Sequence, residues 1–364
     1  MISTRMLRRL TAATGPLVVL AILFAGPAVL PATLIGAGAL CALYLVAGVG
    51  LNVLLGYTGQ VSFGQGGFWA IGAYSVGILT AKVHLPIVPA MVLAVLITGT
   101  LALVIGWPLT QLRGHYIAVA TLAFALIVAD LANNLGSLTG GSVGLPGIPA
   151  LTVFGYTVVD ADFYRVCWAV ALVVLVLTAN LSRSRSGRAF RSVGADDSGS
   201  QALGIPSGAY RLRAFVFAAC LAGLGGAFYA PYLGFLSPDA FGPQLSVLLL
   251  IVIVVGGMRS PYGALVGAVT VTALTQWLAH LSASPELPAR LAPALNVLAY
   301  GALIFIVMRF SPTGILPLLQ RTASTVLRWA RPAHLPPHTS PEVAQVRHAQ
   351  EQDDTTEPSE AGHV

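Results

Sequence analysis

Charge is what this chain has least of. Only 9% of its 364 residues are Asp, Glu, Lys or Arg, against about 25% in an ordinary soluble domain. With 56% hydrophobic residues and a mean hydropathy of +0.82, the composition excludes a soluble globular domain and describes a multi-spanning membrane protein. Lysine occurs once, as Lys82, so a basic nucleic-acid surface has almost nothing to be built from. The same scarcity removes the P-loop, because Lys82 stands between Ala81 and Val83 and not behind the glycine that such a phosphate cradle needs. No His-Glu-x-x-His occurs. Cys41, Cys167 and Cys220 all fall in apolar runs without Cys-x-x-Cys spacing, and read as small core residues, not as a disulfide or a zinc site.

Buried acids are nearly missing as well. Asp130, in Ile127-Val-Ala-Asp-Leu-Ala-Asn-Asn134, is the only carboxylate well inside an apolar run. A carrier driven by protons or sodium needs intramembrane ionisable groups to couple ion and substrate, and a membrane-embedded enzyme needs a nucleophile, a metal cluster or paired carboxylates that converge. Neither pattern is present. Asp130, one helical turn before Asn134, reads equally as an interfacial carboxylate or as a group beside a permeation path. Gly223-x-Gly225-Gly226 lacks the preceding strand and third glycine of a dinucleotide fold, and reads as close approach of neighbouring helices through small residues.

What is there is a succession of about ten apolar spans. They lie near Pro16 to Leu30, Ile35 to Leu55, Gly66 to Ala81, Ile87 to Trp107, His115 to Leu135, Phe163 to Leu181, Arg213 to Leu233, Leu245 to Gly257, Ala264 to Leu281 and Leu291 to Met308. The fold class expected is therefore all-α and polytopic. With both termini cytoplasmic, 16 of the 19 Lys and Arg fall on the inner side and only Lys82, Arg165 and Arg290 outside, as the positive-inside rule requires. Arg5, Arg8 and Arg9 before the first run fit either a cleaved signal peptide or an uncleaved anchor; the long second span favours the anchor. From Pro336 the chain is polar and acidic, with Glu342, Glu351, Asp353, Asp354, Glu357 and Glu360, and is expected to be a disordered, dispensable tail.

Between Leu181 and Phe215 a basic, polar island interrupts the apolar sequence. Ser182-Arg-Ser-Arg-Ser-Gly-Arg-Ala-Phe-Arg191 is followed by Gly194-Ala-Asp-Asp-Ser-Gly-Ser-Gln-Ala-Leu-Gly204-Ile. Flanked by spans, it is held in water at the arginine-collecting face, where a soluble partner can reach it. Three further constellations stand out. Gly56 to Tyr74 brings Gln60, Ser62 and Gln65 to a membrane boundary among closely spaced glycines, which serve either tight helix packing or contact with a solute. Ser137 to Pro149 is a Gly- and Pro-rich outer loop containing Thr139, Gly140 and Gly141. Phe235 to Phe241 is an outer turn in which Ser237 or Asp239 can cap a helix.

Gly50-Leu51-Asn52 through Tyr74, Ala120-Thr121-Leu122-Ala123-Phe124, Thr139-Gly140-Gly141 through Gly147-Ile148-Pro149, and Ala202-Leu203-Gly204-Ile205 followed by Arg211 to Phe235 resemble the LivM-type permease subunit of ABC importers for branched-chain amino acids. The resemblance runs in order from about Gly50 to Gly267. It implies a cell inner-membrane importer built from two related permease subunits, two cytoplasmic ATPases that carry ATP and Mg, and an extracytoplasmic binding protein. This chain itself is then no enzyme and holds no cofactor or metal. The implied organisation is a basic N-terminal segment and first span over 1–34, a permease domain over 35–309 with a coupling loop at 182–211, and a cytoplasmic tail over 310–364.

The resemblance also implies roles for residues. The ATPase would be met by a coupling helix drawn from Arg191, Ala195, Asp196, Asp197, Ala202, Leu203, Gly204 and Ile205, with Val193, Ala195, Ala202, Leu203 and Ile205 as its apolar contacts. Ser198-Gly199-Ser200 departs from the family's more helix-favouring pattern, and an interior Gly costs about 1 kcal/mol relative to Ala, so this helix is expected to be short or to order only on docking. Gln60, Ser62, Gln65, Asp130 and Asn134 are the candidates for the translocation path, and Thr139, Gly140 and Gly141 for contact with the binding protein. A urea or short-amide permease is the alternative within the family, and an ion-coupled carrier the alternative outside it.

Overall fold

The computed structural model describes residues 19–316 apart from 28, 30, 113–115, 154, 283–291 and 311–313. The N-terminal arginines and the tail beyond 316 lie outside the described residues. The first helical stretch, α1, covers 19–27. It is followed by α2 (Ala32–Leu51), which runs without interruption into a π-helical turn, Asn52–Tyr57. An irregular segment leads to α3 (Gln65–Ala81), then α4 (Ile87–Leu109) and α5 (Tyr116–Asn134). A one-turn helix, α6 (Gly136–Thr139), and two short β pairings fill the connection to α7 (Asp160–Arg183). The corner helices α8 (Arg185–Ala195) and α9 (Asp197–Ala202) precede α10 (Ser207–Leu233), α11 (Pro243–Gly256), α12 (Pro261–Ser282) and α13 (Ala292–Phe310).

Seven helical segments among the described residues are long and apolar enough to cross a membrane: Leu34–Tyr57, Ile87–Leu109, Tyr116–Asn134, Asp160–Arg183, Ser207–Leu233, Pro238–Gly256 and Pro261–Leu281. The other three expected spans coincide with α1, α3 and α13. Expected span 16–30 is described only in part, and the apolar stretch of α13 is confined to Leu298–Val307. At 17 residues α3 is about 25 Å long, less than the ~30 Å hydrocarbon thickness. Most of its residues are buried against protein, so its length need not match the lipid.

The centre of the bundle is α10, packed on α2, α3 and α4. Small residues make that possible. A Cβ on Gly72 would lie 2.1 Å from the Gly223 carbonyl oxygen, and one on Gly226 would lie 2.0 Å from that of Trp69. The α3 and α10 backbones therefore touch directly, which confirms the packing role expected for Gly223, Gly225 and Gly226. Their closeness seats the buried Trp69 ring over Gly225, with Tyr44 and Tyr229 rings at 5.8 and 5.9 Å. Cys41 and Cys167 are buried and Cys220 is half-buried, all as free thiols.

At one end, β1 (Leu145–Pro146) pairs antiparallel with β4 (Phe235–Leu236), fastening the 135–159 connection to the α10–α11 turn. Next to it, β2 (Thr152–Val153) and β3 (Tyr156–Thr157) form an exposed hairpin. The opposite end carries α8, α9, the π-turn and the α11–α12 loop, with most of the described arginines.

Candidate functional site at the arginine-rich end

The polar island folds as a helical corner and not as a loop. Ser184 ends α7 and caps α8, its Oγ accepting from the Gly187 N–H at 3.2 Å. Along α8 one face buries Ala189, Phe190 and Val193, and the other exposes Arg185, Arg188 and Arg191. Phe190 meets the Tyr210 ring edge-on at 5.7 Å. Gly194 lies on the π-turn so closely that a Cβ there would stand 2.1 Å from the Tyr57 carbonyl oxygen. The Arg191 guanidinium sits 5.5 Å from the centre of the Tyr57 ring and donates to the Ser182 carbonyl at 2.8 Å.

Asp196 then caps α9, accepting from the Ser198 N–H at 3.0 Å. This answers the expectation raised by Ser198-Gly199-Ser200. The helix is short but formed, and Gly199 leaves room for the capping carboxylate, since a Cβ there would lie 2.6 Å from Asp196 Oδ2. Two ties pin α9 to its surroundings: Ser192 and Ser200 hydroxyls at 2.8 Å, and the Asp197–Arg211 ion pair at 3.0 Å. Gly204, at φ +78°, turns the chain into α10. The outcome is that Gln201, Ala202, Leu203 and Gly204 face outward, with Leu203 79% exposed, while Ile205 is half-buried. Ala195 ends α8 and does not join α9, and Val193 is buried within the chain, so neither belongs to one continuous contact helix with Leu203. A cavity of about 530 Å³ adjoins this corner, lined by Trp107, Gln111, Asp197 and Arg211 among others.

Gln60, Ser62 and Gln65, the candidates for a solute path, lie in the irregular segment before α3 and at its first residue. All three are buried inside the chain. Gln60 Nε2 donates to Thr58 Oγ1 at 2.9 Å and to the Arg211 carbonyl at 3.3 Å, tying the irregular segment to α10. Ser62 Oγ accepts from the Gly64 N–H at 3.3 Å. Gln65 begins α3, where the Gly66 N–H donates to Ser246 Oγ at 2.8 Å and the Phe63 N–H to Thr121 Oγ1 at 3.0 Å. Ser62, Thr121 and Ser246 thus satisfy backbone donors at the start of α3, a requirement at any buried helix end, whereas Gln60 Oε1 and both polar side-chain atoms of Gln65 are buried with no hydrogen-bond partner among the described residues.

Asp130 and Asn134 lie far from that cluster in sequence and share the exposed face of α5, with Asn134 Nδ2 donating to the Asp130 carbonyl at 2.8 Å. At the strand-bearing end, Thr139 and Gly141 are buried. Thr139 Oγ1 reaches the Ala132 and Leu135 carbonyls at 2.7 and 2.8 Å, so its side chain serves the turn and not an outer surface. Gly140 and Gly141, at φ +81° and +60°, supply the left-handed backbone of that turn. The residue they present is Val143, 80% exposed. Nearby, Lys82 Nζ donates to the Ser137 carbonyl, and Asp162 accepts from Tyr156 Oη at 2.9 Å, which raises the Tyr156 hydroxyl pKa.

Sequence reasoning did not assign a role to Asn52, Thr121, Ser246 or Arg259. The signal for Asn52 was available: an amide in the middle of an apolar run has to find partners. Among the described residues no group of three or more His, Cys, Asp or Glu could hold a metal ion.

Comparison with known proteins bears on the whole of this arrangement. No solved structure matches the chain. The high-affinity branched-chain amino acid transport system permease protein LivM of Salmonella typhimurium is 30% identical over 300 residues, covering 76% of this chain and 68% of the relative, and LivM of Escherichia coli K12 matches to the same extent. The corresponding LivH of Escherichia coli K12 is 27% identical over 75% of this chain and 91% of its own length. The family model for the branched-chain amino acid transport system permease component matches residues 33–308, which takes in the bundle from α2 to α13 together with the α8–α9 corner, and the chain belongs to that family of multi-pass membrane permeases.

Proposed function

We propose that the chain is the membrane-spanning subunit of an ATP-driven importer for branched-chain or similar hydrophobic amino acids. The observation that carries this reading is the permease-family match over residues 33–308. ATP and Mg act on two separate cytoplasmic ATPase subunits, a second related permease completes the membrane part, and an extracytoplasmic binding protein delivers the ligand. The chain crosses the inner membrane about ten times with both termini inside. α1, α3 and α13 then join the seven longer spans.

Energy enters at α9 in this reading. Leu203, 79% exposed beside the capped and ion-paired α9, offers an apolar contact on a rigid mount, which is what a docking anchor needs. Arg191, Asp196, Asp197, Ala202, Gly204 and Ile205 hold or flank that contact. Translocation involves the α5 face of Asp130 and Asn134 and the Gln60, Ser62 and Gln65 cluster at the start of α3, where Gln60 Oε1 and the Gln65 amide have no hydrogen-bond partner among the described residues. Asp130 stands exposed among apolar neighbours, and a carboxylate there is costly against lipid, so this face is covered by the second permease and lines the path. Val143, carried by the Thr139–Gly141 turn, meets the binding protein.

The test is reconstitution. In vesicles containing the chain, its ATPases and its binding protein, labelled leucine, isoleucine or valine accumulates only with ATP, whereas the chain by itself neither hydrolyses ATP nor accumulates substrate. Concentrative uptake by the isolated chain under a proton or sodium gradient would refute the reading.

A further inference from the structure

The π-turn in α2 is the one irregularity within a described membrane-crossing helix that places a polar side chain on a distant loop. A π-turn adds a residue to the helical repeat and redirects the side chains that follow, and such turns recur at functional positions. Here Asn52 opens it, buried at 1% exposure. Its Nδ2 donates to the Ser260 carbonyl at 2.6 Å and its Oδ1 accepts from the Arg259 N–H at 2.9 Å. One amide thus closes on consecutive backbone groups of the α11–α12 loop, more than 200 residues away in sequence. Arg259 has φ +70°. A non-glycine residue keeps that left-handed conformation only where its surroundings enforce it, and the Asn52 clamp does so.

The other end of the same turn is held by α8. Gly194 packs on the Tyr57 carbonyl, leaving no room for a Cβ, and Arg191 covers the Tyr57 ring. Gly56 completes the fit, since a Cβ there would lie 2.4 Å from Asn52 Oδ1 and 2.8 Å from the Arg259 nitrogen. A cavity of about 440 Å³ lies between, lined by Leu55, Ala195, Val254 and Met258 among others. It leaves space for α8 to shift relative to the α11–α12 loop, while the π-turn bridges the two.

We propose that Asn52 is the positioning residue that carries movement of the α8–α9 corner to the α11–α12 pair. This rests on the importer reading above, and it identifies a route separate from the covalent one through α10. The experiment uses the complete complex with its ATPases and binding protein, and reads substrate transported per ATP hydrolysed. Asn52→Leu keeps the branched outline and heavy-atom count of the side chain and removes both hydrogen bonds; Asn52→Asp keeps the acceptor for the Arg259 N–H. Asn52→Leu is expected to assemble, to retain basal hydrolysis, and to transport about tenfold less per ATP, a factor typical of coupling between two sites. Asn52→Asp is expected to fall between it and the unmodified complex. Gly56→Ala, which displaces the amide without deleting it, is the second route to the same loss should Asn52→Leu fail to assemble.

A purely structural role lowers hydrolysis and uptake together and leaves their ratio unchanged. An unchanged ratio in Asn52→Leu, or in Gly56→Ala where Asn52→Leu does not assemble, would therefore overturn the inference while leaving the importer reading intact. Absence of ATP-driven uptake in the unmodified complex would overturn both.

Discussion

Replacing Gly226 with alanine adds one methyl group where α10 meets α3. That Cβ would lie 2.0 Å from the Trp69 carbonyl oxygen, 2.9 Å from its carbon and 3.0 Å from the Ala73 nitrogen. Carbon and carbonyl oxygen in neighbouring helices approach to about 3.3–3.6 Å at closest, so the two backbones have to part by roughly 1.3–1.6 Å. All three obstructing atoms are backbone, and no rotamer change relieves them. A gap of about 1 Å already forfeits as much as half of a dispersion contact, and overpacking of a well-filled core costs about 1–3 kcal/mol. With no side chain free to yield, the upper end applies. Association of membrane helices rests on packing, without the hydrophobic drive that compensates in water. The assay is thermal inactivation of the purified chain in detergent, with Gly208→Ala as the control. Gly208 lies in the same helix with nothing near its absent Cβ, so alanine there gains helix propensity. We expect Gly226→Ala to lower the transition by about 5 °C or more, at ~2 °C per kcal/mol for a chain of this size, and Gly208→Ala to leave it level or raise it. Equal stability of the two variants would refute the direct backbone contact between α3 and α10.

Leu203→Asp is expected to insert and melt as the unmodified chain does, because the side chain is already 79% exposed, yet to lose co-purification of the ATPases and with it uptake; the docking loss reaches several kcal/mol where the site is fully desolvated. Retained ATPase binding would remove Leu203 from the interface. Thr139→Val, which deletes the hydroxyl bonded to the Ala132 and Leu135 carbonyls, should cost about 1 kcal/mol and speed proteolysis of the 135–159 connection without altering ATP hydrolysis; unchanged proteolysis would show that the glycines alone hold the turn. Deletion of 336–364 should leave membrane abundance and uptake unaltered, and a large loss of uptake at equal abundance would make the tail a docking or regulatory element.

Much of the bundle was legible because an apolar run long enough to cross a bilayer has few alternatives to a helix. The expected spans over Ile87 to Trp107 and Phe163 to Leu181 differ from α4 and α7 only at their ends. Where the boundary depended on polar residues, the sequence was read less well. α10 begins at Ser207 and not at Arg213, because Tyr210 packs on Phe190 of α8 and Arg211 pairs with Asp197. Those contacts arise only after the corner has folded, although Ser184 and Asp196 carry recognisable capping chemistry. Of the candidate residues, Leu203 is exposed, whereas Gln60, Ser62 and Gln65 are buried about a helix start hidden in apolar sequence, whose backbone donors are met by Ser62, Thr121 and Ser246. Beyond the amide of Asn52, the π-turn left no compositional trace. Its single extra residue does not alter an apolar run, and its partners lie in segments distant in sequence, at Arg191 and Gly194 and at Arg259 and Ser260.

The packing also constrains how a push on α9 can spread. The Asp197–Arg211 pair ties α9 to α10, and at Gly226 α10 has no slack against α3. Close-packed interiors transmit displacement instead of absorbing it, so α3 and α10 move as one body. The α11–α12 pair is joined to that corner through the π-turn, across a cavity of about 440 Å³, and this joint has room to change its angle. Gly226→Ala and Asn52→Leu therefore separate two kinds of failure. The first loosens the body that must move and lowers stability and transport together. The second leaves the body intact and removes the Asn52 link to the α11–α12 loop, so that hydrolysis continues while less substrate is carried per ATP.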